Sequence, residues 1–95
     1  MKQIYFAVYD SAAAYFLNPF PSPTEEAAHR EFAKAVLNPE TPIHHNPEHF
    51  KLFRLGSWNN NTGQFDDEDN KLVADALAVV AQSKREIPQD EELGE

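Results

Sequence analysis

The sequence predicts an α+β domain, an antiparallel sheet of about four strands with two helices, in the order ββαββα. Three observations predict it. Two segments, Gln3–Tyr9 and Phe50–Trp58, are dense in aromatic and branched apolar residues of the kind that fill strands. Between them Ser22-Pro23-Thr24-Glu25 is a helix-start signal. After the second pair of strands, Leu72, Val73, Ala76, Leu77 and Val80 recur at helical spacing. The two ββα halves share a layout, with no internal repeat in sequence.

In chain order, the first strand alternates Ile4, Phe6 and Val8 with Tyr5, Ala7 and Tyr9. Both sets are largely apolar, which predicts a central strand covered on both faces. Asp10-Ser11 is a turn signal, and Tyr15-Phe16-Leu17 returns as a second strand before Asn18-Pro19 stops it. Ser22 suits the helix cap, Pro23 the first helical position and Glu25 the third position of a capping box. The helix is predicted to run to about Leu37, with Ala28, Phe32, Ala35 and Val36 as its apolar stripe, and Asn38-Pro39 ends it. Residues 38–47 hold three prolines and read as an irregular connection. Asn59-Asn60-Asn61-Thr62-Gly63 is a polar turn, followed by a short hairpin strand through Gln64-Phe65. Asp67 to Asn70 reads as the acidic start of the second helix, with Lys84 and Arg85 at its end. Residues 1–85 form one domain on this reading, and residues 86–95 are an acidic, mobile tail.

Ninety-five residues with 41% hydrophobic content support one modest core. A domain of that size with seven Phe, three Tyr and one Trp gains stability by pairing, so a homo-oligomer, a dimer, is expected. There is no Cys, which removes disulfides and thiolate metal sites and suits a reducing cytoplasm. No signal peptide or membrane span is expected, and no membrane partner. The net charge of −8 disfavours a polyanion at first sight. It is unevenly spread, however. Asp66, Asp67, Glu68 and Asp69 form one run and Glu86, Asp90, Glu91, Glu92 and Glu95 another; without those nine of the 16 acids, seven acids meet eight Lys and Arg.

His44, His45 and His49 with Glu48 are the one metal-like group, but Pro47 interrupts the His45–His49 helical spacing, and these read as loop histidines. The acidic run lacks the alternating ligands and glycine of a calcium loop. Adjacent solvated acids do not make an acid–base pair, and no serine sits in a nucleophile elbow. No catalytic residue, metal site or cofactor is therefore expected. Strand parity puts Phe50, Leu52, Arg54 and Trp58 on one face of the second long strand and Lys51, Phe53, Leu55 and Ser57 on the other. With tyrosines from neighbouring strands, such a surface stacks single-stranded bases while Arg54 and Lys51 meet phosphate. The alternative for these aromatics is a core or a subunit interface.

The stretch from Ile4 to Phe20, with Val8-Tyr9-Asp10-Ser11 closing the strand ahead of an aromatic and proline segment, resembles the opening of a small nonstructural protein of gokushovirus-type (Microviridae) single-stranded DNA bacteriophages. Arg30-Glu31-Phe32, His45-Asn46-Pro47-Glu48, Leu52-Phe53-Arg54-Leu55-Gly56 and Thr62-Gly63-Gln64-Phe65 follow in the same order, so the likeness covers residues 4–65. The resemblance implies a DNA-binding early phage protein acting in the host bacterial cytoplasm, in genome synthesis or the switch to packaging, and it carries no catalytic residues. The expected function is thus a non-enzymatic protein that binds single-stranded DNA, with Tyr5, Tyr9, Lys51, Arg54 and Trp58 as contact residues. The rival is an acidic module that engages a basic host or phage protein through the tail and the acidic helix start, in the manner of a DNA mimic.

Overall fold

The computed structural model describes the backbone of residues 2–93 and the side chains of residues 3–84. The elements are β1 (Lys2–Asp10), β2 (Tyr15–Phe16), β3 (Phe20–Ser22), α1 (Glu25–Leu37), α2 (Pro42–His45), a 3-10 turn (Pro47–His49), β4 (Phe50–Asn59), β5 (Gln64–Asp75) and α3 (Ala76–Leu93). All strand pairs are antiparallel, and the α+β expectation holds. β1 is central: β4 lies on one edge of it, both β2 and β3 on the other, and β5 extends the sheet beyond β4.

Only one face of the sheet carries helices, so β1 is central as expected but is not covered on both faces, and Tyr5 and Tyr9 stay partly exposed. Phe6, Val8, Phe50 and Leu52 point to the helix side and meet Ala28, Phe32 and Val36 of α1, Ile43 of α2 and Ala76 and Val79 of α3. The buried α1 residues recur every four positions, so one stripe of the helix enters the core while Arg30 and Lys34 stay wet. Phe6, Leu52 and Val36 are fully buried, and each stabilises the fold by about 1.5–3 kcal/mol.

Several local expectations are corrected. Thr24, not Ser22, caps α1, its hydroxyl accepting from the Ala27 N–H at 3.0 Å. Ser22 is instead a buried residue of β3, a strand missing from the sequence reading; a residue before proline is biased toward extended backbone, and Ser22 pairs with Ile4. The connection over residues 38–47 is not irregular throughout, because Thr41 caps the short α2 through His44 N–H. The largest change is in β5. The acidic run Asp66–Asp69 starts no helix and belongs to a strand of 12 residues. Pairing β5 with the long β4 satisfies backbone groups that would otherwise be orphaned, and at the sheet edge each acid stays exposed, so the strand desolvates no charge. α3 begins only at Ala76, where Asp75 Oδ1 accepts from Leu77 N–H at 2.9 Å, and its backbone continues past Arg85 to Leu93.

The ladder between β1 and β4 is in register on both sides of one irregularity: Phe6 pairs with Arg54 and Tyr5 with Gly56, so Leu55 is an extra residue. Across β4 and β5 the same place is wider, with Glu68, Asp69 and Asn70 standing against Leu55 between the pairs Arg54–Lys71 and Gly56–Asp67. Gly56 allows this approach. A Cβ there would overlap the Asp66 carbonyl oxygen and crowd the Asp67 Cα at 3.0 Å. The hairpin loop that feeds β5 is set by Asn59, whose Oδ1 accepts from Asn61 N–H at 2.9 Å, and by Gly63, whose φ of +74° suits glycine.

The widened β5 segment carries Glu68 to Arg54. Arg54 Nε donates to Glu68 Oε1 at 3.0 Å and Nη2 to Oε2 at 3.3 Å, a two-pronged pair, while Nη1 donates to Glu25 Oε2 at 3.2 Å. Lys71 Nζ donates to the same Glu25 oxygen at 3.0 Å. The network joins β4 and β5 to the first turn of α1. The Lys71 hydrogen bond, opposed by partial burial and reinforced by Arg54, holds the Glu25 carboxyl below its ordinary value, and Glu68 foremost raises the Arg54 guanidinium above its own.

Two predictions follow from this packing. Gly56→Ala should destabilise the chain by at least about 2 kcal/mol, lowering Tm by about 10 °C in a thermal melt, because no rotamer change removes a backbone clash. Glu25 is depressed when folded, so its contribution is present above the unfolded carboxyl pKa of about 4.3 and is lost as pH falls through the lower folded value. Denaturant melts from pH 6 to pH 3 should therefore show Glu25→Gln losing less stability than the native chain over that range. Both partners are partly exposed, so the difference should be no more than about 1 kcal/mol.

Candidate functional site: an open aromatic sheet face

The extra residue at Leu55 inverts the parity of β4. Up to Arg54 the even residues point toward the helices, and beyond Leu55 the odd ones do. Trp58, opposite Gln3 on β1, therefore shares a face with Tyr5 and Tyr9, whereas Arg54, opposite Phe6, is on the helix face. The expected same-face pair of Arg54 and Trp58 does not form. Lys51 and Phe53, read as facing away from Trp58, lie on its side instead.

The face opposite the helices is lined with aromatic rings. At one end Tyr9 and Phe16 pack with centroids 4.8 Å apart, and Phe16 meets Phe53 edge-on at 5.8 Å. At the other, Tyr5 meets Phe65 edge-on at 5.9 Å, and Phe65 is the cross-strand partner of Trp58. Phe16 and Phe65 remain 41% and 44% exposed, an unusual cost for large rings unless something covers them. Lys51 is paired with Tyr9 across the ladder and is half-buried; among the described sheet residues it is the one cation on this face. Asp75 stands across from Lys51, but its carboxylate caps α3.

Four of the five expected contact residues thus share one face, Tyr9 and Lys51 at one end and Tyr5 and Trp58 at the other. Arg54 does not join them, and its five donors are largely committed to Glu68 and Glu25. Sequence reasoning missed Phe16, Phe53 and Phe65. The available signal was Gly56, since a glycine inside a strand marks a bulge or a close backbone approach, and a bulge after Arg54 moves Phe53 onto the Trp58 face.

The histidines are dispersed among backbone partners. His44 Nδ1 lies 3.0 Å from Val36 O, His45 Nε2 lies 2.8 Å from Pro39 O, and His49 approaches Glu48 at 3.6 Å. Among the described residues no group of three His, Asp or Glu has metal-binding geometry. No helix among them is long and apolar enough to cross a membrane. The acids Glu86, Asp90, Glu91, Glu92 and Glu95 of the expected tail lie outside the described side chains.

No curated protein matches the chain, and no solved structure matches it. A family model described as Phage ORF5 protein matches residues 3–79, from β1 into α3. That match spans well over half of the 95 residues and takes in the whole open face, so the chain belongs to the Phage ORF5 protein family.

Proposed function

We propose that the chain is a non-enzymatic, nonstructural protein of a gokushovirus-type (Microviridae) single-stranded DNA phage that binds single-stranded DNA in the host cytoplasm, during genome synthesis or the switch to packaging. The observation that carries the reading is the row of rings on a sheet face free of helices, with Lys51 beside Tyr9 and Phe53. Every base has a π-face, so such a surface binds single strands by stacking with little sequence preference. Tyr9, Phe16 and Phe53 with Lys51 form the platform, while Tyr5 and Trp58 lie further along the same face, beside Asp67 and away from the cation. Arg54 braces the fold and leaves phosphate to Lys51.

A second reading has its own support. Phe16 and Phe65 leave 41% and 44% of their surface exposed on the open face, so the same face also suits a homodimer.

Fluorescence anisotropy with a labelled oligonucleotide separates the two. On the DNA reading Phe53→Ala and Lys51→Gln weaken binding, the first by about fivefold or more, as expected for a lost stacking contact, while Arg54→Met leaves affinity within about twofold. With one cation on the face, log K should fall with log salt at a slope of about −0.7, far shallower than for a basic groove. Absence of binding at low salt, or a loss on Arg54→Met that Phe53→Ala does not match, rejects the DNA reading. Light scattering that shows a dimer, dissociated by Phe53→Glu, would favour the interface.

A further inference from the structure

The open face changes character along its length. At the end away from Lys51, a groove of about 550 Å³ is lined by the rings of Tyr5, Trp58 and Phe65 with Pro19 and Leu55, and by the polar Asp67, Glu68 and Asn70. The charge of Glu68 is met by Arg54. Asp67 has no ion-pair partner among the described residues. Ring faces carry partial negative charge, and beside an uncompensated carboxylate they repel phosphate and attract a cation. The requirement is therefore for one positive charge on an otherwise apolar, flat group. A guanidinium meets it: its plane stacks on the indole or a phenol ring, and its fan of N–H groups donates to the Asp67 carboxylate with the Asn70 carbonyl as a further acceptor. An ammonium is more strongly hydrated and stacks less well.

We propose that this groove is a docking site for one arginine side chain of a basic partner protein, presented on an extended segment across the Trp58 end of the sheet. The proposal is independent of DNA binding at the Tyr9, Phe53 and Lys51 end, and the two sites differ in the sign of the charge they select.

Trp58 is the only tryptophan, so its emission reads the groove directly. The full chain is titrated, at constant ionic strength, with an end-blocked Gly-Arg-Gly peptide and with its citrulline counterpart, which keeps the shape and removes the charge. The expected result is a saturable emission change with the arginine peptide, at least about fivefold weaker with citrulline, and weakened about threefold or more by Asp67→Asn, a change at an exposed residue. Lys51→Gln should leave it unchanged. Equal responses to the two peptides, or native affinity in Asp67→Asn, overturn the proposal. So does an emission change produced by an oligonucleotide and not by the arginine peptide, which would assign the groove to bases.

Discussion

Leu55 has no place in the β1–β4 ladder, and the rest of the molecule is arranged around that one residue. The bulge reverses which side of β4 faces the helices, and Gly56 lets the β5 backbone close over it where a side chain would collide with the Asp66 carbonyl. Without the extra residue Trp58 would turn toward the helices and Ser57 toward the open side. With it, the buried faces of both halves of β4 stay continuous, Leu52 before the bulge and Ser57 after it, and the rings collect on the other side.

The same irregularity sorts the charges. Three residues of β5 stand opposite Leu55, and the slack brings Glu68 across to Arg54, which also holds Glu25 at the start of α1. A positive charge that looks available in the sequence is spent on joining sheet to helix. What remains on the open face is a gradient, with Lys51 among rings at one end and Asp67 among rings at the other. For a chain of net charge −8 this matters, because contact with a polyanion has to come from stacking more than from counterion release. Most of the acidic run lies on the exposed β5 edge, where like charges also discourage edge-to-edge pairing of two copies.

Much of the architecture was legible. The alternation in β1, the stripe of Ala28, Phe32 and Val36, and the polar turn from Asn59 to Gly63 each follow from local chemistry, and each is found. The α1 cap moved by two residues because Ser22 and Thr24 are chemically equivalent caps, and pairing with β1 decided between them. β5 was not legible, since an acidic run favours a helix start locally and only the unpaired edge of β4 makes a strand preferable. The face of Trp58 was misread for a related reason. Parity is a local rule that one inserted residue inverts, and the sole trace of that insertion in the sequence is Gly56. Tyr5 and Tyr9 keep the common face that alternation gives them, because the extra residue is in β4 and not in β1.

The claim on which the account rests, that Arg54 and Trp58 lie on opposite faces of one strand, is tested most directly by NOESY spectra of the labelled protein. The account predicts cross-peaks from the Trp58 indole to Tyr5 or Phe65 side chains, and from the Arg54 δ-protons to the Glu25 or Glu68 side chains. Cross-peaks joining the indole to Arg54 or Leu52 would contradict it.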